Sequence, residues 1–323
     1  MNRKDLRPAL TALAVVVSLA GCGDDPSDSS AAGTPTQGSS QTTNGDPSLD
    51  GRLMFSRFDE ATHSFLSSHV ARADGSDETT LEVPWEEGGG QWSHSGDEIA
   101  VVTQLADGRI GTAVIDAQGQ LQRELTIPDD SLNLVCTVWS PDDSRLACEG
   151  WDDTQPERRG LYSVRASDGR DVERLTETPE GLGDLPGDYS PDGSTFLFLR
   201  GAEESPGTLF TMSAQGGDPE SFATLEVEDP GRYSPDGSSV LTAAAGTLLV
   251  LDETGTVVTE IAQPDRYLFG AVWSPDGTHI AYSSTEIREA RADVYTSLPD
   301  GTDQRQVTST PENEIRVEWG AVP

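Results

Sequence analysis

Lysine is almost missing from this 323-residue chain: Lys4 is the only one, so every later Lys/Arg position is an arginine. With 56 acidic residues against 21 Lys and Arg, the net charge is -35. A surface of that sign repels phosphates and offers no basic stripe, which excludes nucleic acid as a partner. Histidine is scarce as well. His63, His69, His94 and His279 form no H-E-x-x-H or other compact ligand set, so no metal site is spelled out. The G-x-S-x-G elbow of the serine hydrolases is absent. No EF-hand spacing occurs either, so calcium held by surface carboxylates stands only as the alternative to a plain solubility role for the acids. The one extended apolar stretch, Ala9 to Ala20, is too short to span a bilayer. What the chain does have is 33 Gly and 20 Pro with only 34% hydrophobic residues, a composition suited to many short strands joined by turns.

The N-terminus reads as an address. Arg3, Lys4 and Arg7 precede the apolar stretch, as the charged and apolar regions of an export signal do. The stretch ends in Leu19-Ala20-Gly21-Cys22, which resembles the lipobox of bacterial lipoproteins. That resemblance implies that residues 1–21 are removed and that Cys22 becomes the lipidated first residue, anchored on the extracytoplasmic side of a bacterial membrane, in the periplasm or at the cell surface. Each acyl CH₂ contributes about 0.8 kcal/mol, enough over two or three chains to hold an anionic protein on lipid. Residues 22–50 then form a Ser/Thr/Gly/Pro tract without apolar periodicity, read as a disordered tether with a reach of roughly 30 Å.

From residue 51 to 323 one unit recurs. Trp92-Ser-His-Ser-Gly, Trp139-Ser-Pro-Asp-Asp, Tyr189-Ser-Pro-Asp-Gly, Tyr233-Ser-Pro-Asp-Gly and Trp273-Ser-Pro-Asp-Gly follow one another at steps of 47, 50, 44 and 40 residues, and Trp319-Gly320 comes 46 later. Seven positions after each complete aromatic stands an apolar residue: Ile99, Leu146, Phe196, Val240 and Ile280. Ser-Pro-Asp-Gly closes a hairpin because Pro presets φ and Gly takes the left-handed position. Asp143 holds that last position in one copy, and Asp tolerates the conformation. A third strand, a second Asp-Gly turn and a fourth strand complete each unit, as in Leu161 to Thr176. Four antiparallel strands every 40 to 50 residues is the period of a propeller blade. Trp319 lies on a first strand without successors, whereas the segments beginning at Arg52, His69 and Thr79 read as strands two, three and four without a first. The expected fold is therefore all-β, a six-bladed β-propeller closed by the N-terminal strands pairing with the C-terminal strand. The repeat resembles that of the TolB-like family over about residues 52 to 320. The resemblance implies a scaffold; the α/β domain that precedes the propeller in TolB has no counterpart in the tether, so its lipoprotein partner is not carried over.

In a four-strand meander the Asp-Gly turns share one face of the disc. The second-to-third connections and the links between blades share the other, and there the irregular loops fall. Variable loops on a rigid frame carry binding. Trp85 and Trp151, the two tryptophans outside the repeat position, are assigned to connections on that face, either as binding anchors or as plugs between blades. Arg158 and Arg159 are candidate carboxylate clamps, with a solvated loop as the competing reading. Asp142, Asp192, Asp236 and Asp276 are assigned to turn geometry rather than to metal. Cys136 and Cys148 flank the Trp139 turn symmetrically, so they are either a cross-strand disulfide or two buried thiols. The reading that follows is a monomeric, membrane-anchored, non-catalytic scaffold for a protein or cell-envelope glycan. The alternative is a metal-dependent polysaccharide lyase or carbohydrate-sensing propeller. Replacing the lipid-bearing residue, Cys22→Ser, is expected to move the protein from the membrane fraction to the soluble extracytoplasmic fraction; unchanged fractionation rejects the anchor.

Overall fold

The computed structural model describes residues 49–322 apart from 82–88, 106, 203–204 and 288–290. Within them the chain forms six four-stranded antiparallel sheets, and the only helical element is one turn of 3₁₀ helix at Pro156–Arg158. The first strands of successive sheets neighbour one another in order and return to the start, so the sheets are the blades of a six-bladed propeller. Numbered by their first strands, these begin at Gly90–Trp92, Asn133–Trp139, Gly183–Tyr189, Arg232–Tyr233, Arg266–Trp273 and Asn313–Gly320. Cys22, the signal segment and Trp85 lie outside the described residues.

Blade 6 closes the ring as the sequence predicts. Its first strand is Asn313–Gly320 and its next three are Arg52–Phe58, Phe65–Arg72 and Thr79–Leu81. Leu53 pairs with Trp319 and Arg52 with Gly320, and the Trp319 indole donates to the Asp50 carbonyl at 3.0 Å. Two strand edges that would otherwise template aggregation are thereby paired.

Between each pair of neighbouring blades sits one apolar cluster, six in all. Each repeat aromatic packs against the blade before its own: Trp139 joins Ala100 and Val114 of blade 1, and Trp273 joins Leu241 and Val250 of blade 4. The Trp139 and Trp273 indoles also donate to the carbonyls of Gln91 and Arg232, the residues just ahead of those blades' own aromatics. The apolar residue seven positions on pairs directly with its aromatic in every complete copy, which fixes the hairpin register.

The Asp of Ser-Pro-Asp-Gly closes the turn on itself. Asp192 accepts from the Ser190 hydroxyl and from the Ser194 hydroxyl and backbone N–H, and the same set recurs at Asp142, Asp236 and Asp276. Pro141, Pro191 and Pro235 each lie against the turn glycine of the next blade, Gly193, Gly237 and Gly277. Blade 1 has His94 at the Pro position, and there Asp143 of blade 2, at φ 57°, substitutes another link: its carboxylate accepts from the backbone N–H groups of His94 and Ser95 at 2.8 and 2.9 Å.

Two details depart from the sequence reading. Trp151 is the last residue of the second strand of blade 2, paired with Asn133, rather than part of the connection. In blade 4 the second-to-third connection is not long but a two-residue turn, Ala245-Gly246, with both residues left-handed at φ 49° and 76°. That conformation matches the right-handed twist of a tight hairpin. Cys136 and Cys148 are directly opposed across the first hairpin of blade 2 and joined as a disulfide. Since those strands are already paired, the bond constrains the chain by less than the roughly 3 kcal/mol of a free loop.

The closing aromatic is the most consequential of the six. Trp319→Ala empties a buried site at the seam and removes the indole bond to Asp50, so a loss of about 3–5 kcal/mol is expected in denaturant unfolding. A loss under about 1 kcal/mol would show that the seam is not what holds the ring shut.

Candidate functional site

The two faces of the disc differ in the way the turns foretell. On one face stand the Asp-anchored turns, tied blade to blade by the proline and Asp143 contacts. The chain enters the propeller here. A cavity of about 810 Å³ is lined by Leu49 and Gly51 together with Asp77, Gln118, Asp276 and Val322, so the entering segment, the departing C-terminus and turns of blades 1, 5 and 6 meet at one place.

The opposite face carries the loops. Three of the sequence-selected residues lie at this end of blade 2: Trp151 closes its second strand, and Arg158 and Arg159 stand on the connection that follows. The loop is braced rather than open. Asp152 accepts from the backbone N–H and hydroxyl of Thr154 and from Arg158, bonds that hold its carboxyl down at about 2. Arg158 also bonds Asp129 and the Ser131 hydroxyl in the link from blade 1, and Arg159 reaches Glu149 at 3.5 Å. Both arginines thus clamp carboxylates of their own chain. Trp151, half-buried, is left at the rim of a rigid hairpin. Rigid aromatics lose little entropy on contact, which is what an anchor requires.

The histidines do not converge. His94 and His279 sit in the first-hairpin turns of blades 1 and 5, bonded to Asp143 and Thr278. His69 is on the third strand of blade 6, where its Nδ1 faces Glu78 and its Nε2 the Ser67 hydroxyl, while Arg57 ties Glu78 to the fully buried Glu314. Burial and the Arg57 charge keep the His69 imidazole below its usual range, as a neutral structural group. Among the described residues no cluster of three or more His, Cys, Asp or Glu could hold a metal.

A group that the repeat analysis passed over lies on the propeller axis. The residue one position before each aromatic is, blade by blade, Gln91, Val138, Asp188, Arg232, Val272 and Glu318. Arg232 of blade 4 crosses the channel: its Nη2 donates to Glu318 Oε1 of blade 6 at 2.8 Å and its Nη1 to the Gly187 carbonyl of blade 3 at 2.7 Å. The Gln91 amide of blade 1, with its oxygen turned to Arg232 Nη1 at 2.6 Å, donates to the Thr137 carbonyl of blade 2. Asp188 accepts from the Tyr233 backbone N–H, and Asp229 from that of Gly270. Burial pushes the Glu318 carboxyl up to about 7 against the pull of Arg232, raises Asp188 likewise, and takes Asp229 to about 6. The signal for this set was present in the sequence as four polar side chains at a position flanked by core residues.

The architecture is that of a six-bladed propeller with a braced loop face and an ionic axis. No family model matches the chain and no curated protein matches it. Solved structures do. TolB from Acinetobacter baumannii superposes with a TM-score of 0.62 at 18% identity, covering 84% of this chain and 67% of that one. A TolB homologue from Agrobacterium tumefaciens gives 0.57 at 15%, covering 84% and 99%. A gluconolactonase from Xanthomonas campestris gives 0.53 at 14%, covering 78% and 87%. The chain therefore has the TolB-like propeller fold, a frame that also hosts an enzyme, so the fold does not by itself choose a function.

Glu318 and Asp229 titrate above the free carboxylate range, so the folded state binds protons that the unfolded state releases. Their contribution to stability is full below about pH 4 and is lost as pH rises through 6 to 7. Wild-type protein is expected to lose more thermal stability between pH 5 and pH 8 than Glu318→Gln combined with Asp229→Asn. Parallel pH profiles would show that neither carboxyl is shifted.

Proposed function

We propose that this chain is an exported, lipid-anchored binding module that presents its loop face to a protein or cell-envelope glycan and carries out no reaction of its own. The observation that carries the reading is the asymmetry of the disc. The tether joins at the turn face, beside Gly51 and Val322, so an anchor at Cys22 draws that face toward the membrane. The loop face then points away, toward whatever approaches from the envelope. Trp151 stands there on a hairpin already braced by Asp152 and Arg158. Pre-bracing leaves little ordering cost for association.

The acidic surface favours a partner with basic or neutral docking groups and disfavours teichoic or nucleic phosphates. A glycan suits the exposed aromatic edge, and a protein suits the wider loop set; both are arms of one experiment. A photo-crosslinking residue is placed in living cells either at Asp153 on the loop face or at Thr278 on the turn face. Adducts are expected from Asp153 and not from Thr278, and Trp151→Ala is expected to abolish them. Adducts from Thr278 alone would overturn the face assignment. Incubation of purified protein with uronate polymers and Mn²⁺ tests the competing chemistry: new absorbance from unsaturated products would replace the scaffold with a polysaccharide lyase.

A further inference from the structure

The axis of the propeller is filled by a side chain in an unusual position to move. Arg232 belongs to the shortest of the six first strands, two residues against three to eight in the others, and pairs with blade 4 only through Arg232 and Tyr233. Directly ahead of it come Pro230 and Gly231, the latter left-handed at φ 82°. Blade 4 also has the two-residue Ala245-Gly246 turn on the loop face, where its neighbours in blades 3 and 5 carry longer loops.

The acceptors that hold Arg232 come from three other blades and are independent of it. Glu318 supplies a carboxylate, Gln91 an amide oxygen and Gly187 a carbonyl, with Asp188 alongside. A planar guanidinium fits such a set of converging oxygens better than a compact ammonium does. Of the two axial carboxylates, Glu318 bonds this guanidinium directly and Asp188 lies within reach of its charge, with His94 and Asp229 as the further titratable neighbours. Emptying the site would leave the partly buried Asp188 and Glu318 carboxyls to take up protons or to draw in another cation, and a cation that also satisfies the converging carbonyl and amide oxygens is favoured over protons alone. Solvent already reaches both partners, whose side chains are 21% and 16% exposed.

We propose that Arg232 is a removable plug: it fills an axial guanidinium site with the protein's own side chain, and a ligand bearing an arginine-like group gains the site by exchange. Self-occupancy lowers the apparent affinity for a ligand by the fraction of time the site stands open, so binding is weak until the plug is out. The device holds whichever partner the loop face takes, because it concerns the axis alone.

The test uses the full-length protein in detergent and the probe Nα-acetyl-arginine amide. Arg232→Ala is expected to bind it in the millimolar range, with wild type about tenfold weaker. The lysine analogue should bind the variant less well, and the glutamine analogue not at all. Guanidinium ion at low millimolar concentration should raise the thermal midpoint of Arg232→Ala by several degrees while sodium at equal ionic strength does not, and wild type should not respond. Equal probe binding by wild type and variant, or no guanidinium-specific rescue, overturns the proposal. Should Arg232→Ala fail to fold, it is refolded with guanidinium or with sodium: recovery with guanidinium alone supports the site, and recovery with neither rejects it. A loss of loop-face crosslinks leaves these readouts untouched, so the two readings fail separately.

Discussion

A ring of sheets is stable only where its last edge finds its first, and here that meeting is the pairing of Asn313–Gly320 with Arg52–Phe58. Every blade leans on the one before it through the repeat aromatic, so a gap anywhere would expose one apolar cluster and release its neighbours in turn. The seam is reinforced accordingly. Trp319 packs with Leu53 of its own blade and Val272 of blade 5, its indole bonds Asp50, and Arg57 pairs with buried Glu314 across the two seam strands. Closure also sets the distances on the axis. Arg232 can reach Glu318 only because blade 6 is completed by residues from both ends of the chain.

The same closure divides labour between the faces. First-hairpin turns converge near the axis and repeat one solution, Ser-Pro-Asp-Gly, because each must pack against the next at the same radius. Pro191 on Gly237 and Pro235 on Gly277 are the standard joint. Where the sequence departs at His94, Asp143 departs with it, and a carboxylate bridging two backbone N–H groups replaces the proline contact. The pair is a coordinated exchange, since either residue alone in a standard joint would lack its counterpart. Loop-face connections meet no such constraint, and their lengths range from two residues at Ala245-Gly246 to the braced hairpin after Trp151.

That difference explains what could be read before the fold was known. Turn chemistry is local: Pro, Asp and Gly carry their conformations with them, so the hairpins, their register and the opposition of Cys136 and Cys148 were legible in the residue spacing. Blade count followed from the two complementary chain ends. The bracing of Arg158 and Arg159 was not legible, because Asp129 and Ser131 come from the link of another blade and the sequence does not say which loops touch. The axial set was less legible still. Gln91, Asp188, Arg232 and Glu318 are 44 to 97 residues from the next in sequence and meet only across a closed ring, although their shared position before the aromatic marked them as exceptions to an apolar pattern.

Why the axis is ionic rather than apolar follows from geometry. Val138 and Val272, at the same position in blades 2 and 5, pack into the clusters between blades, so the axis is left to the polar residues of the other four first strands. Water could occupy the axis, but a long guanidinium reaching across it satisfies carbonyls that no in-sheet partner can reach, as at Gly187. A half-buried ion pair is a poor source of net stability, because partial desolvation of both charges offsets their attraction. The elevated Glu318 carboxyl records that cost. What the pair supplies is position: one arginine ties blade 4 to blades 1, 3 and 6 at once, at the only point from which all of them can be touched. A bond held by geometry more than by depth of energy is also one open to competition from another cation of the same shape.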